Sequence, residues 1–108
     1  VSSFHKGIDF GTGDETPTVE AAAKGTVTYA QTGWNGGFGN LVEIDHGNGL
    51  LTRYAHLSKI AVKEGDQVNT STIIGSVGST GNSTGNHLHF EIVVNGEQKN
   101  PEDYISFA

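Results

Sequence analysis

Glycine is the feature that most limits how this chain can fold. It accounts for 16 of the 108 residues, roughly twice the ~7% share of an average soluble domain. Glycine is a poor helix former, and its spacing interrupts most windows in which a helix could form. The longest glycine-free stretches are β-rich or polar. Because this length suits one domain with one core, we expect a single turn-rich β domain over residues 1–108, with little or no helix.

Short segments rich in β-forming residues recur along the chain at regular spacing. Turn residues separate them, such as the Asn-Gly pairs at 48–49 and 95–96, which accept the positive φ angles of tight hairpins. Short strands connected in this way predict an antiparallel sheet or sandwich. The predicted strands are 25–30, 41–45, 51–56, 73–77 and 87–94, with a strand end, turn and strand start over 62–68, a polar loop over 78–86 and a closing helical turn over 100–105.

The segment 87–94 carries the clearest chemical signal, because side chains alternate between the two faces of a strand. One face is apolar throughout and is predicted to join the core, whereas the other carries His87, His89 and Glu91. The two histidines lie about 7 Å apart at their Cα atoms, from the rise per residue, so their rings can converge on one ion. Taken alone, such a pair is more often a solvated strand face. The apolar face consists of Leu88, Phe90, Ile92 and Val94.

Three further residues extend this set of donors. His56 ends its predicted strand on the face shared with Tyr54, and His5 precedes Asp9 by four residues, a spacing that chelates one metal if the chain curls between them. Each pattern is weak by itself. The chain has no cysteine, so only imidazole and carboxylate can bind a metal such as zinc. A catalytic zinc site needs three protein ligands and an open position, which leaves two groups for proton transfer, and the count predicts a hydrolase.

Composition excludes several other classes of function. Six Lys and Arg residues stand against twelve Asp and Glu residues, for a net charge of −6, which argues against nucleic acid as a partner because phosphate binding needs clustered cations. No apolar run approaches the ~20 residues of a membrane-spanning helix. The first residues also lack the basic and apolar regions of a signal peptide.

These residues, in this order, resemble the lysostaphin-type zinc metallopeptidases, which cut peptide bonds in bacterial peptidoglycan. Segments 4–10, 54–58 and 87–91 are similar to the three motifs of that family, and 78–81 accompanies the last motif. The resemblance extends from Phe4 to about Ile105, nearly the whole chain. It implies a compact antiparallel β domain of the sheet or sandwich type, with a groove over a zinc site.

The resemblance also implies a role for each candidate residue. It assigns one Zn²⁺ ion to His5, Asp9 and His89. His56 and His87 then form the catalytic pair. In the implied mechanism a zinc-bound water attacks the peptide bond, and imidazole is the base because no glutamate occupies the motif. Which histidine of the pair accepts the proton is left open.

The implied function is a zinc-dependent endopeptidase of peptidoglycan, and we expect it to cut D,D-cross-links between D-Ala and meso-diaminopimelate. The alternatives are cleavage of glycine bridges or stem peptides, and a non-catalytic relative that binds the cell wall or regulates its assembly. We expect a monomeric domain that acts outside the cytoplasm, in the cell wall, as a secreted protein or in a phage particle. We also expect it to be a module cut from a longer cell-wall hydrolase or phage protein.

Several other residues have two interpretations. Tyr54 and Asn40 either line the groove or serve sheet packing and turn formation. Glu91 either orients a metal ligand without contacting the metal itself or is an exposed strand carboxylate. For His46, in the hairpin turn, a structural or solvated role is expected. Trp34, in a glycine-rich loop, is either part of a mobile groove wall or packed.

Overall fold

Nine antiparallel strands form one sheet in the computed structural model, which describes residues 8–13, 15–81, 83 and 85–99. Within these residues the helical content is a single 3-10 turn at Asn35–Gly37, and the all-β prediction is confirmed. No helix in the described ranges is long and apolar enough to span a membrane. The strands are β1 (Ile8–Gly13), β2 (Thr18–Glu20), β3 (Gly25–Gln31), β4 (Asn40–Gly47), β5 (Leu50–Ile60), β6 (Gln67–Val68), β7 (Ile73–Val77), β8 (Asn86–Val94) and β9 (Glu97–Lys99).

The long strand β5 organises the sheet. The strand order is β1-β8-β5-β4-β3-β6, with β7 paired to β5 and β2, and β9 paired to β8. One edge of β5 pairs with the whole length of β4. The other edge pairs with β8 as far as Ala55 and with β7 from Leu57 onward. His56 therefore lies at the point where β5 changes partners.

Local sequence signals account for the hairpins but not for every strand. The Asn-Gly turns are present, with positive φ at Asn48 (56°) and Asn95 (52°). The strand predicted at 73–77 matches β7, whereas β5 continues to Ile60, beyond the strand predicted at 51–56 and short of the strand end predicted in 62–68. The short strands β1, β2 and β9 were not predicted, because their extended conformation comes from hydrogen bonds to β8 and β7 rather than from β-propensity. The predicted helical turn at 100–105 lies outside the described residues.

The core confirms the predicted alternation along β8 and shows the same alternation along β4. Val42 and Ile44 are fully buried, and Phe90 and Ile92 lie on the apolar face of β8. The ring of Tyr54 packs against that of Phe90 with a centroid separation of 5.4 Å. This packing holds β5 and β8, the strands that carry the histidines, against one core. The core residues are Val19, Ala21, Val27, Val42, Ile44, Tyr54, Leu57, Val68, Ile74, Val77, Phe90 and Ile92.

A chain of hydrogen bonds passes through the core beside Tyr54. The backbone N–H of Ala22 donates to the Tyr54 hydroxyl (3.0 Å), which is 2.7 Å from the hydroxyl of Thr52. That hydroxyl is in turn 2.7 Å from Nε2 of His46, and Nδ1 of His46 is 2.8 Å from the carbonyl of Lys24. Because a carbonyl only accepts, Nδ1 carries the proton and Nε2 accepts from Thr52. His46 thus has the expected structural role, and the packing alternative holds for Tyr54, whose pKa is raised by burial.

Candidate functional site

Three of the five predicted site residues come together in the structure. His87 and His89 lie on the face of β8 opposite Phe90. The His56 ring lies 4.7 Å from that of His87 and 6.1 Å from that of His89, centroid to centroid. The two strands β5 and β8 therefore gather three imidazoles into one cluster.

His56 reaches this cluster through an irregularity in β5. Its φ is +63°, in the left-handed region that residues other than glycine seldom adopt. In the β4–β5 ladder, Asn40 pairs with Leu57 and Val42 pairs with Tyr54. Two steps along β4 therefore match three steps along β5, so β5 contains one extra residue, a β-bulge. The bulge breaks the alternation, and the expectation that His56 shares the face of Tyr54 is wrong. Left-handed backbone at a non-glycine residue costs about 1 kcal/mol or more and is concentrated at functional sites.

Two carbonyl groups hold His56 in place. Its backbone N–H donates to the carbonyl of Phe38 (2.7 Å), and its Nδ1 lies 2.6 Å from the carbonyl of Thr80. The Thr80 hydroxyl donates to the carbonyl of Leu57 (2.7 Å) and accepts from the backbone of Asn40 (3.1 Å). Since a carbonyl only accepts, the ring proton of neutral His56 is on Nδ1 and its lone pair is on Nε2.

His87 is held in the same way. Its Nδ1 lies 3.0 Å from the carbonyl of Gly85 and 3.1 Å from the hydroxyl of Ser83, and its backbone N–H donates to the carbonyl of Gly78. The carbonyl again requires the proton on Nδ1 and leaves the lone pair on Nε2. His56 and His87 thus have the same tautomer and can each accept a proton at Nε2.

His89 has the opposite tautomer. Its Nε2 is 2.9 Å from Oε2 of Glu91, and an ionised carboxylate only accepts, so Nε2 carries the proton and the lone pair of the neutral ring lies on Nδ1. Oε1 of Glu91 accepts from Nη1 of Arg53 (3.0 Å) and from Nε2 of Gln98 (2.7 Å). Nε of Arg53 donates to Glu43 (2.9 Å). The structure therefore separates His89 from the other two histidines by proton position.

Glu91 is buried, at 5% exposure, and is not the exposed strand carboxylate of the alternative interpretation. Burial by itself would raise its pKa, but hydrogen bonds from His89 and Arg53 outweigh burial and hold the pKa of Glu91 below its ordinary value. Burial would likewise lower the pKa of Arg53, which the hydrogen bonds to Glu91 and Glu43 raise instead. Glu91 is therefore ionised at neutral pH.

The other two predicted metal ligands belong to the start of the chain. In the β1–β8 ladder the backbone of Asp9 pairs directly with His89, so the strand that carries this aspartate runs beside the histidine predicted to share its metal. Imidazole and carboxylate are donors that zinc uses, and the lone pair on Nδ1 of His89 fits that use. His5 and the side chain of Asp9 lie outside the described residues. Among the residues whose side chains are described, no cluster of three His, Asp or Glu residues could hold a metal ion.

The glycine-rich loop, residues 33–39, borders the three histidines. The ring of Phe38 lies 6.2 Å from that of His89. The side chain of Asn35 donates to the carbonyls of Gln31 and Gly39, and it accepts from Tyr29. The bonds with Tyr29 and Gln31 tie the loop to β3, and the bond with Gly39 closes the loop on itself.

Two residues at this loop had open interpretations. The side chain of Asn40 accepts from the backbone of Gly33 (3.0 Å) and donates to the carbonyl of Leu57 (2.9 Å), which supports the turn-forming role. Trp34 is 63% exposed, so the packed alternative is wrong for its side chain. Its indole lies on the surface of the loop.

Sequence reasoning missed Thr80 and Arg53. Thr80 acts on His56 through its backbone carbonyl, a group that every residue carries, so no residue type could have marked it. Arg53 pairs in register with Glu43 on one side and Glu91 on the other. Opposite charges at facing cross-strand positions are a recognisable signal, but only after the register is known.

Comparisons with known proteins agree with this geometry. Residues 3–101 match the family described as Peptidase family M23. The chain is 50% identical over 98 residues to the DD-carboxypeptidase/endopeptidase Mpg of Neisseria meningitidis serogroup B, which covers 91% of the chain but only 22% of that relative. The chain therefore spans about a fifth of the length of this curated relative.

Two solved structures are similar as well. The catalytic domain of lysostaphin from Staphylococcus simulans is 38% identical with a TM-score of 0.80, covering 93% of this chain and 77% of that one. A zinc-containing peptidase from Vibrio cholerae is 37% identical with a TM-score of 0.80, covering 88% of this chain and 28% of that one. The predicted resemblance is confirmed, and the chain belongs to peptidase family M23 with the fold of a lysostaphin-type catalytic domain.

Proposed function

We propose that this chain is a zinc-dependent endopeptidase domain that hydrolyses peptide bonds in bacterial peptidoglycan. The observation that carries the proposal is the difference in tautomer within the histidine cluster. His56 and His87 hold their protons on Nδ1, whereas His89 holds its proton on Nε2. This difference supports His56 and His87 as proton acceptors and His89 as a metal ligand.

The metal ligands we propose are His5, Asp9 and His89. Two imidazoles and one carboxylate make a donor set that zinc accepts in catalytic sites, with a fourth position left open. When bound, zinc would supply Lewis acidity that lowers the pKa of a coordinated water toward ~7. Glu91 holds the ring of His89, so the chain presents Nδ1 in one orientation. The similarity to a zinc-containing peptidase supports the choice of metal.

His56 and His87 are the groups we propose for proton transfer. Their rings lie 4.7 Å apart, close enough for both to contact one reacting centre. Imidazole has an unperturbed pKa of about 6.5, near the working pH of such enzymes, so it can take up and release a proton. One of the pair accepts the proton of the attacking water at Nε2, and one of them, once protonated there, donates to the oxyanion or to the leaving amine.

The substrate we propose is the D,D-cross-link between D-Ala and meso-diaminopimelate. Its support is the 50% identity to a protein named DD-carboxypeptidase/endopeptidase. The glycine-rich loop, whose Phe38 ring lies 6.2 Å from that of His89 and whose Trp34 is exposed, is the segment we propose to contact the peptide. Action on this substrate would place the domain outside the cytoplasm, at the cell wall.

The test is cleavage of purified cell walls with and without zinc. We expect a chelator to abolish cleavage and added Zn²⁺ to restore it, with mass spectrometry of the fragments from diaminopimelate-type walls showing hydrolysis at the D-Ala bond. Unchanged cleavage after chelation would refute the metal mechanism. Fragments from glycine bridges or stem peptides would replace the substrate assignment.

The matched control is His87→Ala, assayed in parallel. Because His87 is one of the two proposed proton-transfer groups and not a ligand, the variant should keep its fold and lose turnover by roughly the 10²- to 10⁴-fold that general acid–base groups contribute. Equal cleavage by the variant would mean that a contaminating hydrolase is responsible. A zinc-loaded wild-type domain that binds walls without cutting them would support the non-catalytic alternative.

A further inference from the structure

A line of alternating charges runs across three strands and ends at His89. Glu43 in β4, Arg53 in β5 and Glu91 in β8 are paired in register. Their side chains join through bonds of 2.9 Å and 3.0 Å, and Glu91 continues to Nε2 of His89 at 2.9 Å. The Glu43 and Arg53 side chains are partly exposed, at 21% and 26%, whereas that of Glu91 is only 6% exposed. The buried end is therefore the one that contacts the histidine.

Glu91 receives three hydrogen-bond donors on two oxygens. Oε1 accepts from the charged Arg53 and from Gln98, while Oε2 accepts from His89. Each donor keeps a partner only if both oxygens are acceptors, which is true of an ionised carboxylate and of no other side chain of this length. A buried donor without a partner costs about 1–3 kcal/mol.

We propose that Glu91 is a positioning residue that keeps the ring proton of His89 on Nε2 and so directs the lone pair on Nδ1 to the metal ion. The inference rests on the zinc site of the proposed function. A hydrogen bond from the second nitrogen of a ligating histidine to a carboxylate sets its tautomer and orientation, and its loss commonly weakens metal affinity 10–100-fold. Arg53 and Gln98 hold the carboxylate from the other side, and they leave Oε2 to His89.

The variant Glu91→Gln isolates this role because it keeps the size of the side chain and removes one acceptor. Its single amide oxygen would face Arg53 and Gln98, since a charged donor forms the stronger bond. The amide NH₂ group would then face His89 and favour the proton on Nδ1, the tautomer that cannot bind metal there. The matched control is Glu43→Gln, which makes the same change at the far end of Arg53 without touching His89.

The experiment measures zinc affinity by competition between the zinc-loaded full chain and a chromogenic chelator. We expect Glu91→Gln to bind zinc 10–100-fold more weakly than the wild type. Glu43→Gln should stay within about twofold, because partly exposed ion pairs contribute little. Equal weakening by the two variants would overturn the proposal, since it would show that the ion-pair line acts only through stability.

A second variant separates orientation from stability. In Arg53→Met/Glu91→Gln the charged donor is absent, so the amide can rotate its oxygen toward His89, and Gln98 can reverse its own amide to accept from the NH₂ group. We expect this double variant to bind zinc more tightly than Glu91→Gln alone. A double variant as weak as Glu91→Gln would contradict the orientation role.

The outcomes for the wild type distinguish this inference from the proposed function. Wild-type protein that binds no zinc would refute the proposed metal site, and the role of Glu91 with it. Zinc binding with the expected order of variants, but no cleavage of cell walls, would refute the proposed activity and leave the role of Glu91 supported.

Discussion

A histidine's role depends on which of its nitrogens faces a group that can only accept a hydrogen bond. In the described part of the chain, His46, His56 and His87 each place Nδ1 against a backbone carbonyl, whereas His89 places Nε2 against Glu91. His46 uses its second nitrogen inside the core. The nitrogen that faces the acceptor separates His89, the proposed metal ligand, from the other three, and the Thr52 contact of His46 separates its structural role from the proton transfer proposed for His56 and His87.

The hydrogen-bond chain through the core makes Thr52 a test at the residue scale. Thr52→Val keeps the shape of the side chain but removes the hydroxyl that connects Tyr54 with His46. The buried Tyr54 hydroxyl and the half-buried His46 ring lose a partner, so we expect the free energy of unfolding to fall by about 1–3 kcal/mol, measured by urea denaturation. The control Thr28→Val, at an exposed site on β3, should change it by less than about 0.5 kcal/mol. Equal free energies of unfolding for the two variants would show that the hydrogen bonds between Tyr54, Thr52 and His46 do not stabilise the fold.

The loops around the site depend on a close approach between two glycines. A Cβ atom on Gly39 would lie 2.5 Å from the backbone carbon of Thr80, and one on Gly81 would lie 2.6 Å from the carbonyl of Gly37. Both glycines have positive φ, 68° and 73°. The glycine-rich loop and the segment after β7 therefore pack backbone to backbone, and this contact positions the Thr80 carbonyl that holds His56.

Substitution of Gly81 tests this contact at the scale of the element. Gly81→Ala adds the strain of a left-handed alanine, about 1–2 kcal/mol, and it also pushes the two loops apart. We expect lower thermal stability and a fall in peptidoglycan cleavage of about tenfold or more, since small misplacements of a catalytic group are costly.

The control for Gly81 is Gly65→Ala, in the turn before β6. Gly65 also has positive φ (96°), but a Cβ atom there would meet nothing within 4 Å. This variant should lose a similar amount of stability through backbone strain and keep its cleavage rate. Unaltered cleavage by Gly81→Ala would mean that the close approach does not position the site.

At the scale of the whole molecule, the proposed metal would join the two ends of the described chain. Asp9 in β1 and His89 in β8 face each other in the ladder, although 79 residues of chain lie between them. A ligand that binds only the folded state stabilises it by mass action, about 2.7 kcal/mol at 100 times its dissociation constant. Zinc bound to residues of both β1 and β8 should therefore raise the free energy of unfolding of the whole domain.

Thermal unfolding with and without zinc tests this prediction. We expect zinc at roughly 100 times its dissociation constant to raise the Tm by about 10 °C or more, because 1 kcal/mol corresponds to about 4–8 °C in a domain of this size. His89→Ala should abolish the increase because it removes a proposed ligand, and His87→Ala should retain it. The opposite pattern would exchange the roles of the two histidines.

Much of this protein follows from local sequence patterns. Glycine spacing predicted an all-β fold, the Asn-Gly pairs predicted two hairpins, and period-two alternation placed His87 and His89 together on one face of β8. These signals are local, because turn geometry and side-chain alternation depend on a few neighbouring residues.

The sequence by itself thus determined the fold class, the hairpins and the candidate residues. Only the tertiary structure decided the face of His56, the burial of Glu91 and the proton position on each histidine. The bulge in β5 depends on its register with β4, the oxygen that holds the His56 ring comes from Thr80 beyond β7, and the Glu91 carboxylate that faces His89 is held by Arg53 of β5. Periodicity assumes a regular strand and carries no information about such partners, so the bulge and the settings of His56 and Glu91 appear only when distant parts of the chain have met.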